Sequence, residues 1–300
     1  MVTLNDVSLR QLQYVVAVAD TLGFHKAAAR CHVSQPSLSA QVQQLESVLG
    51  VRIFERDRRR VLLTGAGADV VARARRVLLE AEDLLVVAAR LHDPFAGTLR
   101  IGILPTIAPY LLPEVMPKVS ARYPKLSLLF REDKTADIVR ELAEGTLDAA
   151  LLALEADVGE CAHAEIATDP FVAALPKGHP LARKPRLDVA DLEGENVLLL
   201  EEGHCFRDQA LALCNRVKAT ESPFRATSLA TLSQMVSNGA GITLLPSIAV
   251  AVENRRGQLE VRPFTKPVPG RTVSLVWRPS SPLANVFTAL AKTLRQVRRA

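Results

Sequence analysis

Val33-Ser-Gln-Pro-Ser-Leu-Ser-Ala-Gln-Val-Gln-Gln-Leu-Glu-Ser-Val-Leu-Gly50 is the most informative stretch of the 300-residue chain. Ser34 is suited to accept from the free amides at a helix start, and Pro36 falls in the first turn, where a missing N–H costs little. Leu38, Val42, Leu45 and Leu49 recur at spacings of four, three and four, so they form one buried face. Gln35, Ser37, Ser39, Gln41 and Gln43 lie at the N-terminal end of the outward face. A face kept only for solvation would carry Lys and Glu. This one is uncharged, short and rich in donors and acceptors, as reading base edges in a major groove requires.

Upstream, Leu9, Leu12, Val15, Val16 and Ala19 make one amphipathic helix that Gly23 ends. Phe24, Ala27, Ala28 and Cys31 begin a second, with Lys26 and Arg30 on its outer side. Two short helices, the next one polar at its N-terminus, match helix-turn-helix docking on DNA. Downstream, Val51 to Thr64 reads as a two-stranded wing, with Arg56, Arg58, Arg59 and Arg60 placed to meet phosphates. The expected DNA-binding residues are therefore Ser34, Gln35, Pro36, Ser37, Ser39, Gln41, Arg56, Arg58 and Arg59. A three-helix bundle with a basic hairpin and no nucleic acid is the plainer alternative. Residues 1–92 hold 12 basic and 9 acidic side chains, and 93–300 hold 25 and 23, so the net charge of +5 leans toward the first part.

Ala66 to His92 reads as one long helix. Val70, Val77, Leu84 and Leu91 lie seven apart, with Ala74, Ala81 and Ala88 between them, the a/d pattern of a coiled coil. Val71, Leu78 and Leu85 widen that stripe. Paired half-sites on DNA need two recognition helices at fixed spacing, so a homodimer through this helix is expected. Asp93-Pro94 and Gly97 mark a hinge.

From Thr98 the period changes. Leu99 to Leu104, Leu126 to Phe130 and Ala149 to Leu154 read as strands, alternating with helical stretches. A second set begins near Pro170 and returns at Val273 to Trp277, before a final helix. Strands that are apolar throughout imply a parallel sheet covered on both faces, and two α/β lobes with a ligand cleft between them. The longest uncharged stretch, Ala226 to Val252, holds Ser233, Gln234, Asn238 and Pro246, so no membrane span is expected. The N-terminus lacks the apolar core of a secretory signal, so a cytoplasmic location is expected. Four cysteines in such a chain do not form a structural disulfide framework.

Phe24-His-Lys-Ala-Ala-Ala-Arg30, Val33 through Ser39, Gln44-Leu-Glu46, Leu49-Gly-Val51 and Phe54-Glu-Arg56 resemble the LysR-type transcriptional regulators, densely over residues 8–64. The resemblance implies a winged helix-turn-helix domain over 1–65, a dimerising linker helix over 66–92 and a periplasmic-binding-protein-like α/β effector domain over 93–300. Lobe I would take about 97–167 and 272–300, lobe II about 168–271. Homotetramers, transcriptional control and contact with RNA polymerase are implied as well.

A narrower resemblance follows. Leu198-Leu-Leu-Glu-Glu-Gly-His-Cys-Phe-Arg-Asp-Gln-Ala210 with Cys214, Phe224-Arg-Ala-Thr-Ser-Leu229 and Gly241-Ile-Thr-Leu-Leu-Pro246 are similar to the OxyR-like peroxide sensors of that family. By this resemblance Cys205 meets hydrogen peroxide, Cys214 resolves it as a disulfide, and Thr106, Thr135, His204, Asp208 and Arg271 bind the peroxide. The chemistry suits these residue types. A thiolate attacks one oxygen while a donor helps the other leave. His204 before Cys205 and Arg207 after it, oriented by Asp208, would favour the thiolate, as would a helix beginning at Phe206. Nine residues of helix span roughly 13 Å, and a disulfide needs Cα atoms within about 7 Å. The bond therefore requires that helix to unwind.

Cys31 reads as core, and Cys161 as incidental. Cys161 and His163 alone make no metal site, and no cofactor is expected. A regulator of a small metabolite with passive cysteines is the alternative. A thiol peroxidase is disfavoured, because one stoichiometric switch joined to a DNA-binding domain does not suit bulk peroxide removal, so no enzyme is expected.

Overall fold

The computed structural model describes residues 3, 6–56, 61–90 and 93–299. The chain divides into two compact units, 1–91 and 92–300.

In the first unit a reciprocal cap starts α1 (Leu9–Thr21): the Gln11 amide donates to Ser8 Oγ and the Ser8 amide to Gln11 Oε1. After α2 (Phe24–Arg30), Ser34 Oγ accepts from the Ser37 amide at 3.4 Å and opens α3 (Gln35–Leu49). Gly50, at φ 65°, closes that helix in the left-handed region that glycine enters without strain. Val15, Val18, Ala27, Leu38, Val42 and Leu45 form the core, as their helical spacing predicts. The Glu46 carboxylate accepts the Ile53 and Phe54 amides, tying α3 to an antiparallel pair, β1 (Phe54–Arg56) and β2 (Val61–Leu63). In α4 (Gly65–Arg90), Val71 packs into the same core and Ala74 is buried, whereas Val77, Leu84 and Leu85 are exposed. Asp20 of α1 pairs with Arg30 of α2 and Arg75 of α4.

The second unit begins with β3 (Gly97–Ile103), α5 (Ala108–Arg122), β4 (Leu126–Glu132), α6 (Thr135–Glu144) and β5 (Ala149–Ala153). It continues through β6 (Ala162–Pro176), β7 (Asn196–Leu200), α7 (Cys205–Arg216), β8 (Thr220–Ala226), α8 (Leu229–Ser237), β9 (Thr243–Pro246), α9 (Ser247–Glu253), β10 (Leu259–Pro263), β11 (Gly270–Trp277) and α10 (Ala284–Arg299). The main sheet runs β10-β6-β11-β5-β3-β4, with β9 also on β6. Its strands are only partly parallel, which corrects the sequence expectation. β3 pairs with β4 and β5 in parallel, but β11 is antiparallel to both β5 and β6. Chain returning from the far lobe enters the sheet from the opposite end, so it needs no crossover helix to pair.

The 15-residue β6 carries the two-lobed shape. Its first part, to Pro170, pairs with β11, and its last residues, Phe171 to Pro176, pair with β9 and β10. The change of partner falls at Asp169-Pro170-Phe171. Phe171, Leu199, Phe206, Ala210, Cys214 and Leu244 belong to the apolar core around that second half. Among the described residues no helix is long and apolar enough to cross a membrane.

Candidate functional site

Arg271 leads the largest fully buried side chains among the described residues, and it sits on β11 opposite Asp169 of β6. Its Nε donates to Asp169 Oδ2 at 3.0 Å, its Nη1 to Thr106 Oγ1 at 2.8 Å and its Nη2 to the Thr106 carbonyl at 2.8 Å. The other oxygen of Asp169 accepts from Ser247 Oγ at 2.9 Å and the Ile248 amide at 3.1 Å. The guanidinium carbon lies 5.7 Å from the centre of the Phe206 ring, which meets Phe171 edge-on at 5.1 Å. A buried charge is tolerated only when paired and hydrogen-bonded, and this one is both. Thr106 and Arg271, far apart in sequence, thus meet directly.

Cys205 is the first residue of α7, with His204 as N-cap, and is 7% exposed. Burial raises its thiol pKa above the ordinary value. The Thr135 hydroxyl, the Arg271 charge and the Phe206 amide oppose that rise, while Asp208 adds to it. The environment therefore departs from the one expected. Arg207 does not serve the thiol: its guanidinium turns to the Leu200 carbonyl at 3.1 Å and Glu221 at 2.9 Å. Asp208 disfavours the thiolate. The positive charge near Cys205 comes from Arg271. His204 is buried, and burial followed by the charge of Lys134 lowers its pKa, so the imidazole rests neutral near pH 7.

Thr135, Asp208 and Cys205 line an open cleft of about 840 Å³, together with Gln209, Arg140 and Glu155. Two groups in its wall are unusual. Among the described residues, no oxygen or nitrogen pairs with the buried Thr135 Oγ1 or with either buried amide atom of Gln209. Buried polar groups normally find partners, so these are open to a small ligand carrying donors and acceptors. Gln209 was not singled out from the sequence, although its place one helical turn beyond Cys205 puts it on the same face.

Cys214 is 1% exposed in the lobe core with Phe206 and Ala210, and burial pushes its thiol up to about 11. Both thiols are free and stand on one unbroken helix, roughly 13 Å apart along its axis. Cys31 packs at the edge of the first unit's core, and Cys161 is partly buried beside Arg278. Among the described residues, no group of three or more His, Cys, Asp or Glu could hold a metal ion.

On α3, Ser34, Gln35, Pro36 and Ser37 are exposed, and Ser39 and Gln41 are half-buried. Arg56 ends β1. Its side chain, and Arg58, Arg59 and Arg60 entirely, lie outside the described residues.

The model of the bacterial regulatory helix-turn-helix proteins of the lysR family matches residues 9–68, and that of the LysR substrate binding domain matches 92–299. The chain is 42% identical over 291 residues to the hydrogen peroxide-inducible genes activator of Pectobacterium carotovorum subsp. carotovorum, across 97% of this chain and 96% of that protein. It is 42% identical over 290 residues to the DNA-binding transcriptional dual regulator OxyR of Escherichia coli K12, across 96% and 95%. The structure of a full-length cysteine-to-aspartate variant of OxyR from Pseudomonas aeruginosa matches with a TM-score of 0.79 at 38% identity, covering 96% of this chain and 95% of that one. The chain belongs to the LysR family of helix-turn-helix transcription regulators, in its OxyR branch.

Proposed function

We propose that this regulator binds promoter DNA through α3 and senses hydrogen peroxide by oxidation of Cys205 followed by a disulfide with Cys214. The observation that carries the reading is Cys205 at the start of α7, with the Thr135 hydroxyl acting on its thiol and the buried Gln209 amide, unpaired among the described residues, beside it. Once deprotonated, the sulfur attacks one peroxide oxygen, the O–O bond breaks, and the other oxygen takes a proton from a nearby donor and leaves as water. Thr106, Thr135, His204, Asp208 and Arg271 are assigned to hold the peroxide. The resulting sulfenic acid condenses with the Cys214 thiol, forming S–S and releasing water. The two thiols have then supplied the two electrons that reduce one peroxide to water, and cellular dithiols reverse the bond. Because both sulfurs sit on α7, that helix must unwind, and the altered surface is the signal.

Exposed Val77, Leu84 and Leu85 on α4 support a homodimer through that helix. Tetramers, contact with RNA polymerase and a cytoplasmic location belong to the same proposal. Peptide mapping without reductant, before and after a stoichiometric peroxide pulse, tests it. A Cys205–Cys214 crosslink reversed by dithiothreitol is expected, and free thiols at both positions after the pulse would overturn it.

The cleft favours a second reading, because about 840 Å³ is far more than one peroxide fills and suits a metabolite. A ligand that shifts promoter footprints equally in a Cys205→Ser, Cys214→Ser variant would establish that alternative.

A further inference from the structure

We propose that Lys134 is a positioning residue of the thiol site, a strap from one lobe to the loop before Cys205 that sets how fast this thiol reacts with peroxide. This role deepens the sensing reading above and rests on it.

Lys134 is the N-cap of α6, immediately before Thr135. Its Nζ donates to the Glu202 carbonyl at 2.9 Å and pairs with the Glu201 carboxylate at 2.8 Å. Its stem lies along Gly203, where a Cβ would stand 2.8 Å from Lys134 Cδ and where φ is +90°. One side chain thus touches Glu201, Glu202 and Gly203, the three residues that lead into His204 and Cys205. Glu201 in turn stands 3.9 Å from His204.

The consequence is a paired geometry. Lys134 and Thr135 begin α6 on one lobe, and His204 and Cys205 begin α7 on the other. Nothing covalent holds these two helix starts together. Thr135 can serve Cys205 only while they stay in register, because peroxide must lie between the thiolate and the donor that protonates the leaving oxygen. The strap acts one residue from Thr135 and two from Cys205, so it is placed to fix that register. It also brings an ammonium toward His204, which adds to burial in lowering the pKa of that imidazole. The Lys134 and Glu201 side chains are 36% and 39% exposed, so their ion pair alone is weak. The carbonyl contact and the packing on Gly203 make the strap directional.

The test is the rate of sulfenic acid formation at Cys205 in the full chain, in a Cys214→Ser background, with dimedone trapping and mass spectrometry. Iodoacetamide alkylation of Cys205, which needs no donor from Thr135, is measured in parallel. Lys134→Gln is expected to slow the peroxide reaction about three- to tenfold and alkylation less than twofold. Lys134→Arg, which keeps charge and reach, should stay within about twofold of the parent for both. An unchanged peroxide rate in Lys134→Gln overturns the strap. So does an equal fall in both reactions, which would mean that Lys134 governs only access to the thiol. If the Cys214→Ser parent forms no sulfenic acid at Cys205, the sensing reading itself falls and takes the strap's role with it.

Discussion

Replacing Arg271 by Met should destabilise the second unit more than almost any other single change. Met retains much of the stem, so the dominant loss is polar. Asp169 is 1% exposed and would lose its ion-pair partner, while Thr106 would lose the donors to its hydroxyl and its carbonyl. Removing one partner of a buried ion pair typically costs about 3–5 kcal/mol. Two hydrogen bonds to Asp169 survive, from Ser247 Oγ and the Ile248 amide, which holds the expected loss near the lower half of that range. In a unit of roughly 200 residues each kcal/mol moves the transition by about 2–4 °C, so Tm should fall by roughly 6–16 °C.

Trp277 is the sole tryptophan of the chain and is buried in β11. Its fluorescence therefore follows the second unit alone through urea or heat. A second variant separates the charge from the packing. Asp169→Asn combined with Arg271→Met removes the stranded carboxylate, and Asn can still accept from Ser247, so the pair should lose clearly less than Arg271→Met alone. A loss below about 1 kcal/mol for Arg271→Met, or a double variant whose loss is the sum of the two singles, would show that the cluster is not a buried strut.

Two further outcomes are expected. Because the Cys214 thiol is raised from 9.0 to about 11, it favours folding fully below pH 9 and ceases to as pH climbs through 11. Across that window the reduced protein should lose on the order of 3 kcal/mol relative to Cys214→Ala in urea titrations, and parallel pH curves would contradict it. At the start of α4, Gly67→Ala would place a Cβ 2.1 Å from the Ile53 carbonyl oxygen, whereas Gly65→Ala meets nothing within 4 Å. The former should cost at least about 2 kcal/mol and the latter should be neutral or stabilising by up to about 1 kcal/mol, read from circular-dichroism melting. Equal behaviour of the two variants would refute the contact.

The helices of the first unit were legible because their signals are local. Ser34, Pro36 and the four-three-four spacing of Leu38, Val42, Leu45 and Leu49 sit within one element, and cap and period agree. The thiol motif was legible for the same reason, from Gly203 through Asp208. What escaped depends on chain return. No pattern inside Val273 to Trp277 states that β11 runs against β5, since an apolar strand looks alike in either direction. Proximity in sequence also misled the electrostatics of Cys205. Arg207 lies two residues away but points to Leu200 and Glu221, while the cation that bears on the thiol, Arg271, arrives on a strand from the far end of the unit. Lys134 was invisible for the same reason, since its contacts are with residues on another lobe.

The burial that makes Cys214 a reluctant thiolate would also account for how the proposed Cys205–Cys214 disulfide can be reversed. Forming Cys205–Cys214 means drawing the ends of α7 from roughly 13 Å to within about 7 Å, which no intact helix permits. Phe206 and Ala210 lie between the two cysteines and are 2% and 0% exposed. Phe206 would have to leave its edge-on contact with Phe171 and its place under Arg271. Withdrawing one such aromatic from the core, with Cys214 itself, forgoes about 3–6 kcal/mol of burial and packing. At roughly 30 mV for each 1.4 kcal/mol, that strain makes the disulfide more oxidising by about 60–130 mV than an unstrained one. Peroxide supplies far more driving force than this, so oxidation proceeds. Cellular dithiols then meet a bond whose reduction restores a packed helix. A pair of cysteines whose helix did not have to unwind would form a staple; in the sensing reading proposed above, this pair forms a switch because α7 is well packed when reduced.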